Sequence, residues 1–143
     1  MSLDAFVYRN CKNLPAHLRE KVATDPGSGA LYFRNAADYK LYPLSELEAC
    51  DEHIGNIALV AFIREEIAQA FGHQDSLLST KVVYNGTHAG DSIPFFEIDQ
   101  LSREIDELEK MTTSSQSAEL AKFIEQMRNL IVAAIREGNG IVF

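Results

Sequence analysis

His88 and Asp91 stand three residues apart in the segment Gly86-Thr87-His88-Ala89-Gly90-Asp91. An imidazole can serve as base, acid or metal ligand near neutral pH, and a carboxylate three residues on could orient it. Gly86 and Gly90 permit positive φ and close backbone approach. Backbone N–H groups freed in this way could face an anion at the head of the next helix. The pattern is not a phosphate loop, because no Lys-Ser/Thr follows the glycines. It also reads as a plain strand-to-helix connection in which Thr87 and Asp91 satisfy backbone donors. That plainer reading is the commoner one for such a loop.

Other chemistry finds less support. His17, His53 and His73 form no H-E-x-x-H and no zinc spacing with cysteine, so no metal or other cofactor is expected. Cys11 and Cys50 lie far apart and make no C-x-x-C, which suits reduced thiols in a cytoplasmic protein. No G-x-S-x-G elbow is present. Carboxylates pair at helical spacing, Glu104 with Glu107 and Asp106 with Glu109, but on solvated faces they lack the raised pKa of a general acid. Two acidic clusters stand out, one of Glu46, Glu48, Asp51 and Glu52, the other of Asp99, Asp106, Glu107 and Glu109. Such faces are usually just solvated; they could also imitate nucleic-acid phosphates and fill the basic groove of a nuclease.

These residues belong to a chain of 143, a length suited to one domain with its own core. The 13 basic and 21 acidic residues leave a formal charge of −8. That balance argues against binding nucleic acid or an anionic membrane surface, and toward a basic partner if the charge is selected at all. The first residues show no basic stretch followed by an apolar one, so no signal peptide is expected. The longest mostly apolar run, residues 57–63, falls far short of the ~20 residues of a membrane span.

The elements that must position the loop can be read from periodicity. Residues 3–8 alternate as a strand. Leu14, Leu18 and Val22 recur at helical spacing behind Pro15, with Asn13 as a candidate cap. A turn at Asp25-Pro26-Gly27-Ser28-Gly29 leads to a second strand at residues 30–33, expected to pair with the first. Ser45 and Glu48 fit a capping box, which predicts a short helix over residues 46–50. Val60, Ile63, Ile67, Ala70 and Phe71 mark a clear helix from Asn56 to Gly72, with Arg64, Glu65, Glu66 and Gln69 mainly on its solvent side. Residues 77–84 read as the third strand. Ile98, Leu101, Ile105 and Leu108 make one helical stripe, and residues 120–134 a wider one behind Ser117, ended by Gly138. Residues 141–143 are expected to fold back onto the body. The sum is an α+β fold in a single domain: a small, mainly antiparallel sheet packed by three longer helices.

Three segments resemble a known group: the opening Leu3-Asp4-Ala5-Phe6-Val7-Tyr8, the G-T-H-A-G-D-S-I-P stretch of residues 86–94, and the closing G-N-G-I-V-F of residues 138–143. They look like small bacterial immunity proteins of polymorphic toxin systems. The resemblance implies an α+β domain that binds and silences a cognate toxin domain encoded beside it, without catalysis. It carries no functional residues over. The contact residues expected from the chain itself are Gly86, Thr87, His88, Gly90, Asp91, Asp106 and Glu107. The alternative is a small-ligand-binding protein or enzyme that uses the same loop with His88, which requires a concave pocket holding that side chain. Oligomeric state is left open.

Overall fold

The computed structural model describes residues 2–143. Its first strand, β1 (Ser2–Tyr8), turns Leu3, Ala5 and Val7 inward, while Asp4, Phe6 and Tyr8 stay half-buried on the opposite face. After it come a single helical turn, α1 (Ala16–Arg19), and a hairpin of β2 (Val22–Thr24) and β3 (Leu31–Phe33). Then follow β4 (Glu48–Asn56), α2 (Ile57–Ala70), a turn of π-helix at Leu78–Val82, β5 (Ser92–Ile93), α3 (Ile98–Thr112), α4 (Ala118–Glu137) and β6 (Ile141–Val142). The fold is α+β. Among the described residues, the main sheet runs β4-β1-β6-β5, antiparallel throughout, and β2-β3 form a separate small one.

The long helices form where expected and stop for visible reasons. The Asn56 side chain accepts from the Leu59 N–H at 3.0 Å and opens α2; Ser117 does the same for Leu120 at 3.0 Å and opens α4. Gly138 adopts the left-handed conformation that ends α4. Val60, Ile63 and Ile67 of α2 and Phe123, Met127 and Leu130 of α4 join Leu3, Ala5 and Val7 in the main core, and Ile98, Leu101, Ile105 and Leu108 bring in α3. Each of these side chains larger than alanine, fully withdrawn from water, contributes about 1.5–3 kcal/mol. A second, smaller core gathers Leu14, Leu18, Val22, Leu31, Phe33 and Leu47.

Four expectations are corrected. The residue 30–33 strand pairs with β2, not with β1: the turn joins neighbouring segments, so Val22 begins a strand instead of ending a helix. The preceding helix is therefore one turn, and Asn13 does not cap it; its amide reaches the Glu137 carboxylate at 3.3 Å. Residues 46–50 are not a helix. Leu44–Glu46 make one 3-10 turn, and Glu48 starts β4 opposite Tyr8. Pairing with β1 overrides the local capping signal. Residues 77–84 are not a strand. Leu77, Leu78, Val82 and Val83 all bury in the core through a wide π-helical turn, and the Glu104 carboxylate accepts from the N–H groups of Leu77 and Leu78, both at 3.1 Å. The sheet is completed by β5 and β6 instead.

The place of β6, between β1 and β5, depends on Gly140. A Cβ there would lie 2.2 Å from the Ile93 carbonyl oxygen, so no larger residue lets the last strand approach β5.

Candidate functional site

The loop with His88 hangs between two anchored ends. Before it, Val82 and Val83 are fully buried, and the Val83 carbonyl accepts from the Arg64 guanidinium at 3.3 Å. After it, the Gly90 N–H donates to the Phe143 carbonyl at 3.1 Å and the Phe143 N–H to the Asp91 carbonyl at 2.9 Å, which extends the β5–β6 ladder outward. Between them the Asp91 N–H closes a turn onto the His88 carbonyl at 2.8 Å. Gly90 carries this turn at φ +88°, a conformation that disfavours side chains. Gly86 has no positive φ; it is needed for space, since a Cβ there would meet the Tyr84 ring at 2.6 Å. No long helix begins at the loop. β5 and a 3-10 turn at Phe95–Glu97 intervene before α3, so the expected anion seat at a following helix head is absent.

Asp91 does not orient His88. Its carboxylate accepts from the Tyr84 hydroxyl. That hydroxyl also lies 2.6 Å from the Thr87 carbonyl, and with one hydrogen it serves one acceptor at a time. The hydrogen bond with Asp91, more than burial, raises the Tyr84 pKa above its ordinary value. His88 instead lays its ring on Tyr84, centroids 4.2 Å apart, with the Phe143 ring at 6.3 Å. Its Nε2 is shut off from solvent with no hydrogen-bond partner among the described residues. An atom left so costs about 1–3 kcal/mol, which the loop's other contacts must offset.

Beside the loop lies a pocket of about 330 Å³ whose walls include Leu3, Ile57, Ala61, Arg64, Tyr84 and His88. Its lining is mostly apolar. Ile57, one of its walls, is 60% exposed. Arg64 is its cation. Among the described residues no carboxylate lies within ion-pair distance of that guanidinium.

The expected contact residues therefore divide. Gly86 and His88 line the pocket and Thr87 stands exposed beside them, while Gly90 and Asp91 hold the loop in place. Asp106 and Glu107 are not brought to this site. They line a separate shallow depression with Arg103 and Lys110, and Asp106 pairs with Arg128 at 2.8 Å. Arg128 also holds Glu109, so part of the α3 acidic face is already neutralised. On the sheet, Asp4 bonds His53 at 2.5 Å, and that bond lowers its pKa. Among the described residues no group of three or more His, Cys, Asp or Glu side chains could hold a metal ion.

Comparison with family models, curated proteins and solved structures found no match. The site is thus read from its own geometry. Periodicity puts Arg64 on the solvent side of α2, whereas its side chain lines the pocket. The available signal was the spacing Ile57, Ala61, Arg64, a stripe at i, i+4 and i+7 that runs along one helix face.

Proposed function

We propose that this chain is a binding protein of the immunity type, which holds a cognate toxin domain and silences it by occlusion, with no turnover of its own. The observation that carries a binding role is the apolar pocket between α2 and the residue 84–88 loop, with the exposed Ile57 among its walls. A concave apolar patch with a polar rim suits the anchoring side chain of a partner. That the partner is a toxin rests on the resemblance of the three sequence segments. The formal charge of −8 favours a basic one. The reading implies a cytoplasmic protein; no described helix is long and apolar enough to cross a membrane. Catalysis by a His88–Asp91 pair has no support in the site, because Asp91 is engaged by Tyr84.

Co-expression with the toxin domain encoded beside the gene tests this reading. The expected result is rescued growth and a co-purifying pair, both lost in Ala61→Trp, which fills the pocket. If the unsubstituted chain neither rescues nor binds, the immunity reading falls. Undiminished protection by Ala61→Trp would move the contact away from the pocket.

A second reading, a small-ligand-binding protein, is favoured by one observation of its own: the Arg64 guanidinium lines the pocket, bonded to the Val83 carbonyl, with no carboxylate among the described residues to pair its charge.

A further inference from the structure

We infer that the pocket between α2 and the residue 84–88 loop takes a small organic monocarboxylate, an apolar body ending in one negative charge. The inference rests on the ligand-binding reading and adds the chemical class. Its volume, about 330 Å³, is at the lower end of the range for small-molecule sites. Leu3, Ile57, Val60 and Ala61 offer an apolar wall that gains from covering hydrocarbon.

Arg64 decides the other end of the ligand. It lines the pocket, its one hydrogen bond among the described residues goes to the Val83 carbonyl through Nη1, and no carboxylate answers its charge. A guanidinium has five N–H donors in a planar fork, so the bond to Val83 fixes its position and leaves donors for a carboxylate. This makes the Val83 carbonyl a positioning group: it holds the cation against the wall where an apolar ligand would end. Other charge types fit less well. A cationic ligand would be repelled by Arg64. A phosphate would bring two negative charges to a single guanidinium, in a chain that already carries −8. A neutral ligand would leave the guanidinium unanswered. His88 lines the pocket on the loop side, its ring tilted against Tyr84, so ligand entry and the loop's packing are coupled.

The test titrates the purified full chain with octanoate and 1-naphthylacetate, with the uncharged amides of both, and with 1-naphthyl phosphate. Backbone amide shifts of Ala58, Ala61, Gly86 and His88 report the site. Each carboxylate is expected to bind about ten-fold tighter than its amide, as a charge-assisted bond gives over a neutral one. Arg64→Gln should bring the carboxylates down to the amide level, and Ala61→Trp should abolish binding of both. Ala58→Phe, at an exposed wall position, replaces Ala61→Trp if that variant unfolds in a thermal melt. Equal binding of acid and amide, a preference that survives Arg64→Gln, or tighter binding of the phosphate would each overturn the carboxylate class while leaving the pocket a ligand site. No binding by any probe at millimolar concentration would overturn the class and the ligand-binding reading together.

Discussion

Tyr84 ties the candidate loop together through one hydroxyl. The group reaches both the Thr87 carbonyl and the Asp91 carboxylate, while its ring supports Gly86 and His88. Tyr84→Phe keeps the ring and removes the bond. We expect a small loss of stability in urea unfolding, with hydrogen exchange at Thr87 to Asp91 accelerated more than in α4. Uniform acceleration would show that the bond does not hold the loop in particular. Glu48 offers a second residue-scale test. Burial first, and the charge of Asp51 second, raise its pKa. The folded state therefore holds this proton more readily than the unfolded one, and stability falls as pH rises from the ordinary carboxylate range through the raised value. Glu48→Gln should stabilise the protein at neutral pH, by less than about 1 kcal/mol because the carboxylate is still largely solvated. The gain should vanish below about pH 4. Asp4 has the opposite sign, since its lowered pKa gives stability that is lost as pH falls through that value. The His88 loop was legible in the sequence as a place where glycine freedom and reactive side chains meet. The partner of Asp91 was not, because Tyr84 was read in a strand, where its side chain would not turn back on the loop.

Among the elements, those with a full apolar stripe were legible and those that depend on a distant partner were not. α2, α3 and α4 each repeat buried residues at three and four, and their caps stand at Asn56, Ser117 and Gly138. β4 hides its nature. It is an edge strand with register shifts opposite Leu3/Asp4 and Val7/Tyr8, and Asp51, Glu52 and His53 interrupt its alternation. Gln126 of α4 reaches the His53 carbonyl at 2.7 Å beside one of these shifts, a contact no local pattern announces. The π-turn hides in the sequence because β-branched Val82 and Val83 favour strands, although burial of Leu77, Leu78, Val82 and Val83 together suits a helical turn. The seam between β5 and β6 gives the element-scale prediction. Gly140→Ala drives a methyl into the Ile93 carbonyl, and we expect at least about 2 kcal/mol of destabilisation. Loss of the Gly90–Phe143 bond should follow, seen as faster amide exchange at Gly90. A variant as stable as the parent would mean that β6 can shift without penalty.

On the scale of the whole molecule, charge and topology have separate consequences. The −8 charge is spread over several faces, and parts of it are answered internally by Lys81–Glu97, Arg103–Asp99 and Arg128 with Asp106 and Glu109. A basic partner would still be steered by the remainder. Its association rate should fall several-fold between about 50 and 500 mM salt, while its dissociation rate changes little. A salt-independent association rate, measured by surface plasmon resonance, would mean that the acidity is solubility alone. Fold class was legible at this scale from the three stripes and the alternating first strand. Strand order was not, since the sheet is completed by two-residue strands too short to show a period.

That order also governs how the chain finds its structure. The centre of the main sheet pairs Phe6 with Val142, so nearly all of the intervening polypeptide must be gathered before the two can meet. Closing so large a loop is slow compared with forming the α3–α4 pair, whose contacts are local. The sheet's midline should then be among the last parts to consolidate. Substitutions along it, at Gly140 or Ile141, are expected to speed unfolding far more than they slow refolding. In a refolding experiment helical signal should recover first, and protection of the Phe143 and Gly90 amides, which clamp the His88 loop, should arrive with the final phase.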